Sequence, residues 1–517
     1  MRDDARYLRK ARRPAPFPYP IMTRLPSVSL LLLTFALAAT GVRSAEDRPN
    51  IVFLLADDQA TYSMGCYGNP DVKTPNLDQL AKDGMVFDNH YDTTAICMAS
   101  RASILTGKLE YKTGCNFEHG NLLDEHWQKS YPVLLRQAGY ATAFAGKIGI
   151  EVCDEPKGKG RLPESDFDAW GAGPGQTNYE TKKNKSMVKY AKEFPHSTLS
   201  YGAFGRDFIR DCAKGDKPFC LSISFKAPHM PDTPDPRFDE VYAGKTFQKP
   251  ANFGREHGGH FSKQSQQGRQ YERFISWGYA DRYDEVMRRY HQLIHGIDQA
   301  VGMIREALKE TGTDKNTIVI YTSDNGFLCG SHGYGSKVLP YEEASRVPLM
   351  VFDPRQPTAQ GIRCEALTGN IDMAPTILAA AGVAIPEGVD GKNLLTLLEN
   401  PDATVHESLP LINVWGPAAC HSFGVVTRDA KFVFWPYGEP GFEPTEELFD
   451  TGSDGLELRE ESRNPQMAGM LEAMRKTYDD AVAKWKAESV PYHGYTRFST
   501  IFDRHIPWNE KTKEPLK

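Results

Sequence analysis

The 517-residue chain is long enough to bury a large core and, as a prior, to form two or three domains. A quarter of its residues are charged, 40% are apolar and the net charge is −6 with both signs interspersed. That is the make-up of a soluble globular protein, and it argues against a nucleic-acid partner or an anionic membrane surface. An anionic substrate would therefore have to be attracted by a local site rather than by the overall field.

In chain order, the first signal is "MTRLPSVSLLLLTFALAATGVRSAED", with Arg24 ahead of an apolar run from Val28 to Ala39. Val42 and Ser44 suit cleavage before Ala45, and the run is too short to span a bilayer. Residues 1–44 are therefore read as upstream sequence and a signal peptide, with Met22 as the true start. The mature chain is expected in the periplasm or secreted, with no integral membrane segment.

"NIVFLLADDQ" at 50–59 is a continuous apolar strand ending in two acids, as a sheet covered on both faces requires. "TIVIYTSDNG" at 317–326 repeats the design, ending in Asp324, Asn325 and Gly326. Between and after them lie "YATAFAGK", "PFCLSISFKAPH" and "VPLMVFDP", each an apolar run leading to polar residues or a turn. Helical patterns separate these runs: "TPNLDQLAKDG", "YPVLLRQAGY" and "LIHGIDQAVGMIREALKETG", the last closed by Lys309 and Gly312. Strands alternating with helices predict an α/β fold, a central mostly parallel or mixed sheet flanked by helices. The polar segments 173–200 and 247–279 read as long loops.

Near residue 405 the texture changes. "SFGVVTRDAKFVFWPYG" predicts two short strands around an Arg428-Asp429 turn, and a helix follows over 465–488. The expected organisation is a catalytic domain over 45–404 and a smaller C-terminal α+β subdomain over 405–517.

Ligands of open α/β sheets bind beyond the carboxyl ends of the strands, and there the acids fall. Asp57, Asp58, Asp324 and Asn325 offer hard oxygen donors suited to Ca²⁺ or Mg²⁺. Either pair alone is as well explained by turns or helix caps. Lys147 and His229 follow apolar strands, and Lys337 lies shortly after the second acid pair. Nine cysteines are an odd number, and with Cys97 set apart eight could pair or stay free. No CxxC or Cys/His spacing suggests a zinc site.

Taken together, these segments resemble the type I sulfatase family of the alkaline phosphatase-like superfamily. The resemblance covers about residues 48–450. It rests on "PNIVFLLADD", "TPNLDQLAKDGMVFDNHY", the signature Cys97-Met98-Ala99-Ser100-Arg101, "APH" at 227–229, "TSDNG", "GSHG" at 330–333 and "YEEASRVPLMV", all in family order. It implies that Cys97 is converted by a formylglycine-generating enzyme to an aldehyde. Once hydrated, that aldehyde offers one hydroxyl to attack sulfur and a second to expel sulfate. It further implies one Ca²⁺ held by Asp57, Asp58, Asp324 and Asn325 with the modified Cys97. Arg101 would fix the hydrate, and Lys147, Lys337 and His229 would bind sulfate oxygens, with Lys337 or His229 protonating the leaving alcohol. The implied substrate is a sulfated small molecule or glycan.

The sequence departs from the family pattern at three places. Gly149 stands where relatives often carry a histidine, Ala99 where proline is commoner, and Lys226 where many have a neutral polar residue. These keep two alternatives open: a formylglycine-dependent phosphoester hydrolase, and a catalytically impaired homologue that binds sulfated glycans.

Overall fold

In the computed structural model, which describes residues 48–511, β1 (Asn50–Asp57) runs through the middle of an eight-stranded sheet. The signal-peptide reading concerns residues outside this range. The other strands are β2 (Met85–Tyr91), β4 (Ala141–Lys147), β6 (Ala169–Gly173), β7 (Phe219–Pro228), β8 (Thr317–Ser323), β9 (Leu349–Phe352) and β10 (Arg363–Gly369). A short pair, β3 (Leu122–Leu123) and β5 (Val152–Cys153), lies apart. The order across the large sheet is β10-β2-β9-β8-β1-β7-β4-β6.

β1 pairs in parallel with both neighbours: Ile51 sits opposite Cys220 of β7 and opposite Ile318 of β8. Only β9 runs antiparallel within the large sheet, against β8 and β2. Alternate side chains explain the uninterrupted apolar run of β1. Ile51, Phe53 and Leu55 enter one core with Trp127, Tyr131 and Ile377, while Val52, Leu54 and Ala56 enter another with Ile297, Val301 and Ile304. Helices thus cover both faces, and every position of the strand is buried except its first.

The long helix Tyr283–Thr311 supplies much of the second core and ends at Gly312, whose φ of 71° closes it in the left-handed conformation. The smaller sheet is an antiparallel meander of β11 (Leu409–Asn413), β12 (Ser422–Val426), β13 (Lys431–Trp435) and β14 (Thr445–Phe449). The helix Ala468–Glu488 packs on it through Tyr478 and Trp485, against Phe423 and Phe432. Lys431 of β13 is wholly buried within 2.6 Å of Glu342 and 2.8 Å of Glu457, tying this sheet to the short helix Glu342–Ser345 that precedes β9.

Two expectations about loops need correction. Segment 247–279 contains a helix, Arg269–Ser276, which buries only Gln270 and Phe274 and carries charge elsewhere; so small an apolar face leaves little periodicity to read. Segment 173–200 contains two 3₁₀ turns, Thr181–Lys183 and Lys185–Tyr190, and its last residues open the helix Ser197–Cys212. All nine cysteines carry free thiols. Among the described residues, no helix is long and apolar enough to cross a membrane.

Candidate active site

Four adjacent parallel strands, β8, β1, β7 and β4, deliver their carboxyl ends to one place. Asp57 and Asp58 end β1, Asp324 and Asn325 follow β8, His229 follows β7, and Lys147 ends β4. Asp58 adopts a left-handed backbone with φ of 71°, which turns the chain sharply out of the strand. Facing these ends is the helix Cys97–Thr106, with Cys97 its first residue and Arg101 one turn further on. Lys337 reaches in from the loop that follows Asn325. All nine residues singled out in the sequence therefore meet in one buried cluster.

The contacts are close. The Cys97 thiol lies 3.3 Å from Asp57 Oδ1, and Lys337 Nζ approaches its sulfur at 2.7 Å. Lys337 also pairs with Asp58, and Lys147 Nζ reaches Asp57 Oδ2 at 2.5 Å. Arg101 Nε binds Asp324 Oδ2 at 2.7 Å, while its Nη1 donates to the Lys147 carbonyl and, at 2.5 Å, to Ser224 Oγ. Asn325 Nδ2 donates to Asp58 Oδ1 at 2.7 Å, and Asp58 N–H donates to Asp324 Oδ1 at 3.3 Å. His229 is fixed by a 2.6 Å hydrogen bond from Nδ1 to the Met230 carbonyl, which leaves Nε2 3.8 Å from Asp58 Oδ2.

Burial and charge set the protonation states. Burial works against the Asp57 carboxylate, but Lys147, His229, Arg101 and Lys337 together hold its carboxyl well below the usual range. Burial, aided by the charge of Asp57, pushes the Cys97 thiol up to about 12, so the unmodified side chain is neutral at pH 7. Burial lowers His229 to about 4 and leaves it neutral too. Lys337 moves the other way: although buried, it is raised above an ordinary lysine by Asp58, Cys97, Asp57 and Asp324. It is the cluster's firmly protonated donor.

Carboxylate oxygens of Asp57 and Asp58, the Cys97 sulfur and a His229 nitrogen all lie within 4.8 Å of one another, a grouping that could hold a metal ion. The buried Asn325 Oδ1 has no hydrogen-bond partner among the described residues. A hard cation would satisfy that oxygen, and the carboxylates beside it have the matching chemistry. Three carboxylates (Asp57, Asp58, Asp324) face three cations (Arg101, Lys147, Lys337). A divalent ion would leave a surplus of positive charge for an anionic ligand.

The three departures now have structural content. Gly149 has φ of 73°, and a Cβ there would stand 2.4 Å from Arg101 Cδ, so Arg101 fills the space a side chain would need. Ala99 packs with Ile96 and Val338. Lys226 is 5% exposed and holds its ammonium 5.0 Å from the centre of the Tyr179 ring; burial lowers its pKa, opposed by Asp57.

A cavity of about 550 Å³ opens onto Asp58, Cys97, His229 and Lys337, a size suited to a small ligand. Its outer wall comes from Arg269 and Arg273 of the Arg269–Ser276 helix and Trp277 directly after it, with Trp415, Phe117 and Gln176. Sequence reasoning missed most of these residues. No motif surrounds Arg269, Arg273, Trp277 or Trp415, and the first three fall in a segment whose sequence reads as a loop. Phe261, in the same segment, lies away from the cavity wall and stacks on Tyr341 at 3.8 Å in a buried aromatic cluster.

Comparison with known proteins agrees with this geometry. Residues 49–383 match the family described as sulfatase, and residues 330–484 match the family described as N-sulphoglucosamine sulphohydrolase, C-terminal. The chain is 28% identical to an N-acetylglucosamine-6-O-sulfatase of Bacteroides thetaiotaomicron, across 89% of this chain and 92% of that one. It is 30% identical to the Homo sapiens N-acetylglucosamine-6-sulfatase, across 76% and 72%. Among solved structures, one in complex with its substrate D-glucosamine-2-N,6-O-disulfate aligns with a TM-score of 0.69 at 26% identity, covering 85% of this chain and 98% of that one. A phosphonate monoester hydrolase of Agrobacterium radiobacter aligns at 0.68 and 19% identity, covering 84% and 96%, a likeness of fold.

Proposed function

The chain belongs to the sulfatase family, and we propose that it hydrolyses a sulfate monoester on a sugar, using Cys97 converted to formylglycine and one Ca²⁺. The observation that carries this reading is the setting of Cys97. Its side chain opens a helix, touches Asp57 and Lys337, and faces a sugar-sized cavity. Names of relatives that act on 6-sulfated hexosamines support a sulfated glycan as substrate. The apolar run Val28 to Ala39 with its small-residue cleavage site supports export of the mature chain.

Asp57, Asp58, Asp324 and Asn325 would hold the cation, together with the modified side chain at position 97. When bound, the ion supplies Lewis-acid polarisation of a sulfate oxygen and lowers the pKa of a neighbouring hydroxyl. An aldehyde at position 97 supplies, once hydrated, the paired hydroxyls that a thiol lacks.

The remaining roles belong to side chains already in place. Arg101 is held by Asp324, Ser224 and the Lys147 carbonyl, so its guanidinium forms a rigid wall beside residue 97 rather than a mobile clamp. Lys147 and Lys337 are buried ammonium groups beside residue 97, where each counts for more toward an anion than at the surface. Lys337 contacts both Asp58 and the position-97 side chain, and its proton is the one available to the leaving alcohol. His229, neutral and with Nδ1–H committed to Met230, offers Nε2 as an acceptor that orients ligand hydroxyls or water.

The test is to incubate the matured protein with a chromogenic aryl sulfate, a panel of sulfated sugars, and matched phosphate and phosphonate esters. Preferential release of sulfate is expected. No sulfate release from any ester, despite a confirmed aldehyde at position 97, would overturn the proposal. Dominant phosphate release would instead identify a phosphoester hydrolase, and sugar binding without release a glycan-binding homologue.

A further inference from the structure

The outer wall of the active-site cavity carries two cations that the cleavage chemistry does not use. Arg269 and Arg273 lie four residues apart on the Arg269–Ser276 helix, so they project from one face. That arrangement works against the helix. Like charges at this spacing repel, and Arg269 occupies the first turn, where the helix dipole disfavours a cation.

Neither guanidinium forms an ion pair with a carboxylate among the described residues. Each is instead laid over an indole: Arg269 lies 4.2 Å from the centre of the Trp415 ring, and Arg273 lies 4.1 Å from that of Trp277. Glu118, the acid whose charge bears most on Arg269, is already accepting the Gly416 N–H at 3.0 Å. Arg273 spends one nitrogen on Ser336 Oγ at 2.8 Å, and Ser336 directly precedes Lys337. The two guanidiniums thus stand beside the lysine that faces Cys97, stacked in place, half-satisfied and open to the cavity. Burial and the neighbouring Arg269 lower Arg273 to about 10, which leaves it charged at neutral pH.

We propose that Arg269 and Arg273 form a second anion subsite, reading a negatively charged substituent on the sugar other than the ester that is cleaved. The preferred substrate is then a sugar with at least two anionic groups. One enters the Cys97 cluster and the other is gripped by the two forks, while Trp277 and Trp415 hold those forks in register. The inference rests on the sulfatase reading for the placement of the first anion. The second anion is either another sulfate or a carboxylate, since a guanidinium pairs with both.

Calorimetric binding to the full-length protein with unmodified Cys97 tests the subsite without requiring turnover. The probes are N-acetylglucosamine 6-sulfate, glucosamine 2-N,6-O-disulfate, and a uronic-acid disaccharide bearing the same 6-sulfate. The doubly charged probes should bind about tenfold or more tighter than the first in the wild type. In Arg269→Ala/Arg273→Ala that advantage should vanish, with the thermal midpoint showing that the variant is folded. Arg269→Lys/Arg273→Lys should recover part of it. Tightening by the disulfate alone assigns the subsite to sulfate, and tightening by both assigns it to charge. Equal binding of all three probes to the wild type, or an advantage that survives in the alanine variant, would overturn the subsite. Either result leaves the cleavage reaction to be judged separately by sulfate release.

Discussion

Gly149→His would introduce the histidine that the family resemblance implies after this strand, and it is expected to damage the protein rather than improve it. The position has φ of 73°, where a residue with a side chain costs about 1–2 kcal/mol, with histidine at the tolerant end. A Cβ would lie 2.4 Å from Arg101 Cδ and 3.1 Å from its Nε, and overpacking of that kind costs about 1–3 kcal/mol. Together these give about 2–5 kcal/mol, a large share of the roughly 5–15 kcal/mol that holds a typical domain. The displaced group is Arg101, whose 2.7 Å bond to Asp324 fixes it beside Cys97. A shift of about 1 Å there should lower kcat/KM about a hundredfold. Denaturant unfolding and aryl sulfate turnover of Gly149→His and Gly149→Ala measure both effects. A histidine variant with wild-type stability and equal or higher kcat/KM would refute the claim that Arg101 fills this space.

Four further outcomes are expected. Lys337→Met should lower kcat about 10²- to 10³-fold, through loss of the charged donor to the ester, and affect aryl sulfates with good leaving groups least. Ca²⁺ at a hundred times its dissociation constant should raise unfolding stability by about 2.7 kcal/mol, an increment lost in Asn325→Ala. Lys431→Met leaves the buried Glu342 carboxylate, which Lys431 helps hold below its usual range, without its cation and should cost about 3–5 kcal/mol in denaturant melts. His291 is wholly buried, and burial lowers it from 6.5 to about 3, so the unfolded chain binds a proton that the folded one refuses. Its contribution is therefore lost as pH falls below 6.5. The stability of the wild type relative to His291→Gln should decline between pH 6.5 and 4, as urea midpoints at each pH would report.

How far the molecule could be read from its sequence follows from where each signal lives. Interior strands β1, β7 and β8 are buried at nearly every position because both faces are covered, each carries an apolar run, and their acids or histidine fall at their ends. Asp57, Asp58, His229, Asp324 and Asn325 were therefore legible at the ends of such strands, and Lys147 at the end of β4, while the family's motif order joined Cys97, Arg101 and Lys337 to them. The edge strands were not so legible. In β10, Arg363 and Glu365 face solvent, and β6 is interrupted by glycine, so neither shows an apolar run. The outer cavity wall was hidden for another reason: Arg269, Trp277 and Trp415 are brought together only by the folding of distant segments, and each alone looks like ordinary surface. The buried Lys431 contacts are of the same kind, since nothing local in "RDAKFVFW" marks that lysine as seated against Glu342 and Glu457.

The most direct test of the catalytic claim is intact-peptide mass spectrometry of the fragment containing Cys97, from protein made in its native host. A formylglycine sulfatase requires an aldehyde in place of the thiol at that one residue, in the same preparation that releases sulfate. An unmodified thiol or a disulfide at Cys97, in protein that still releases sulfate, would contradict it.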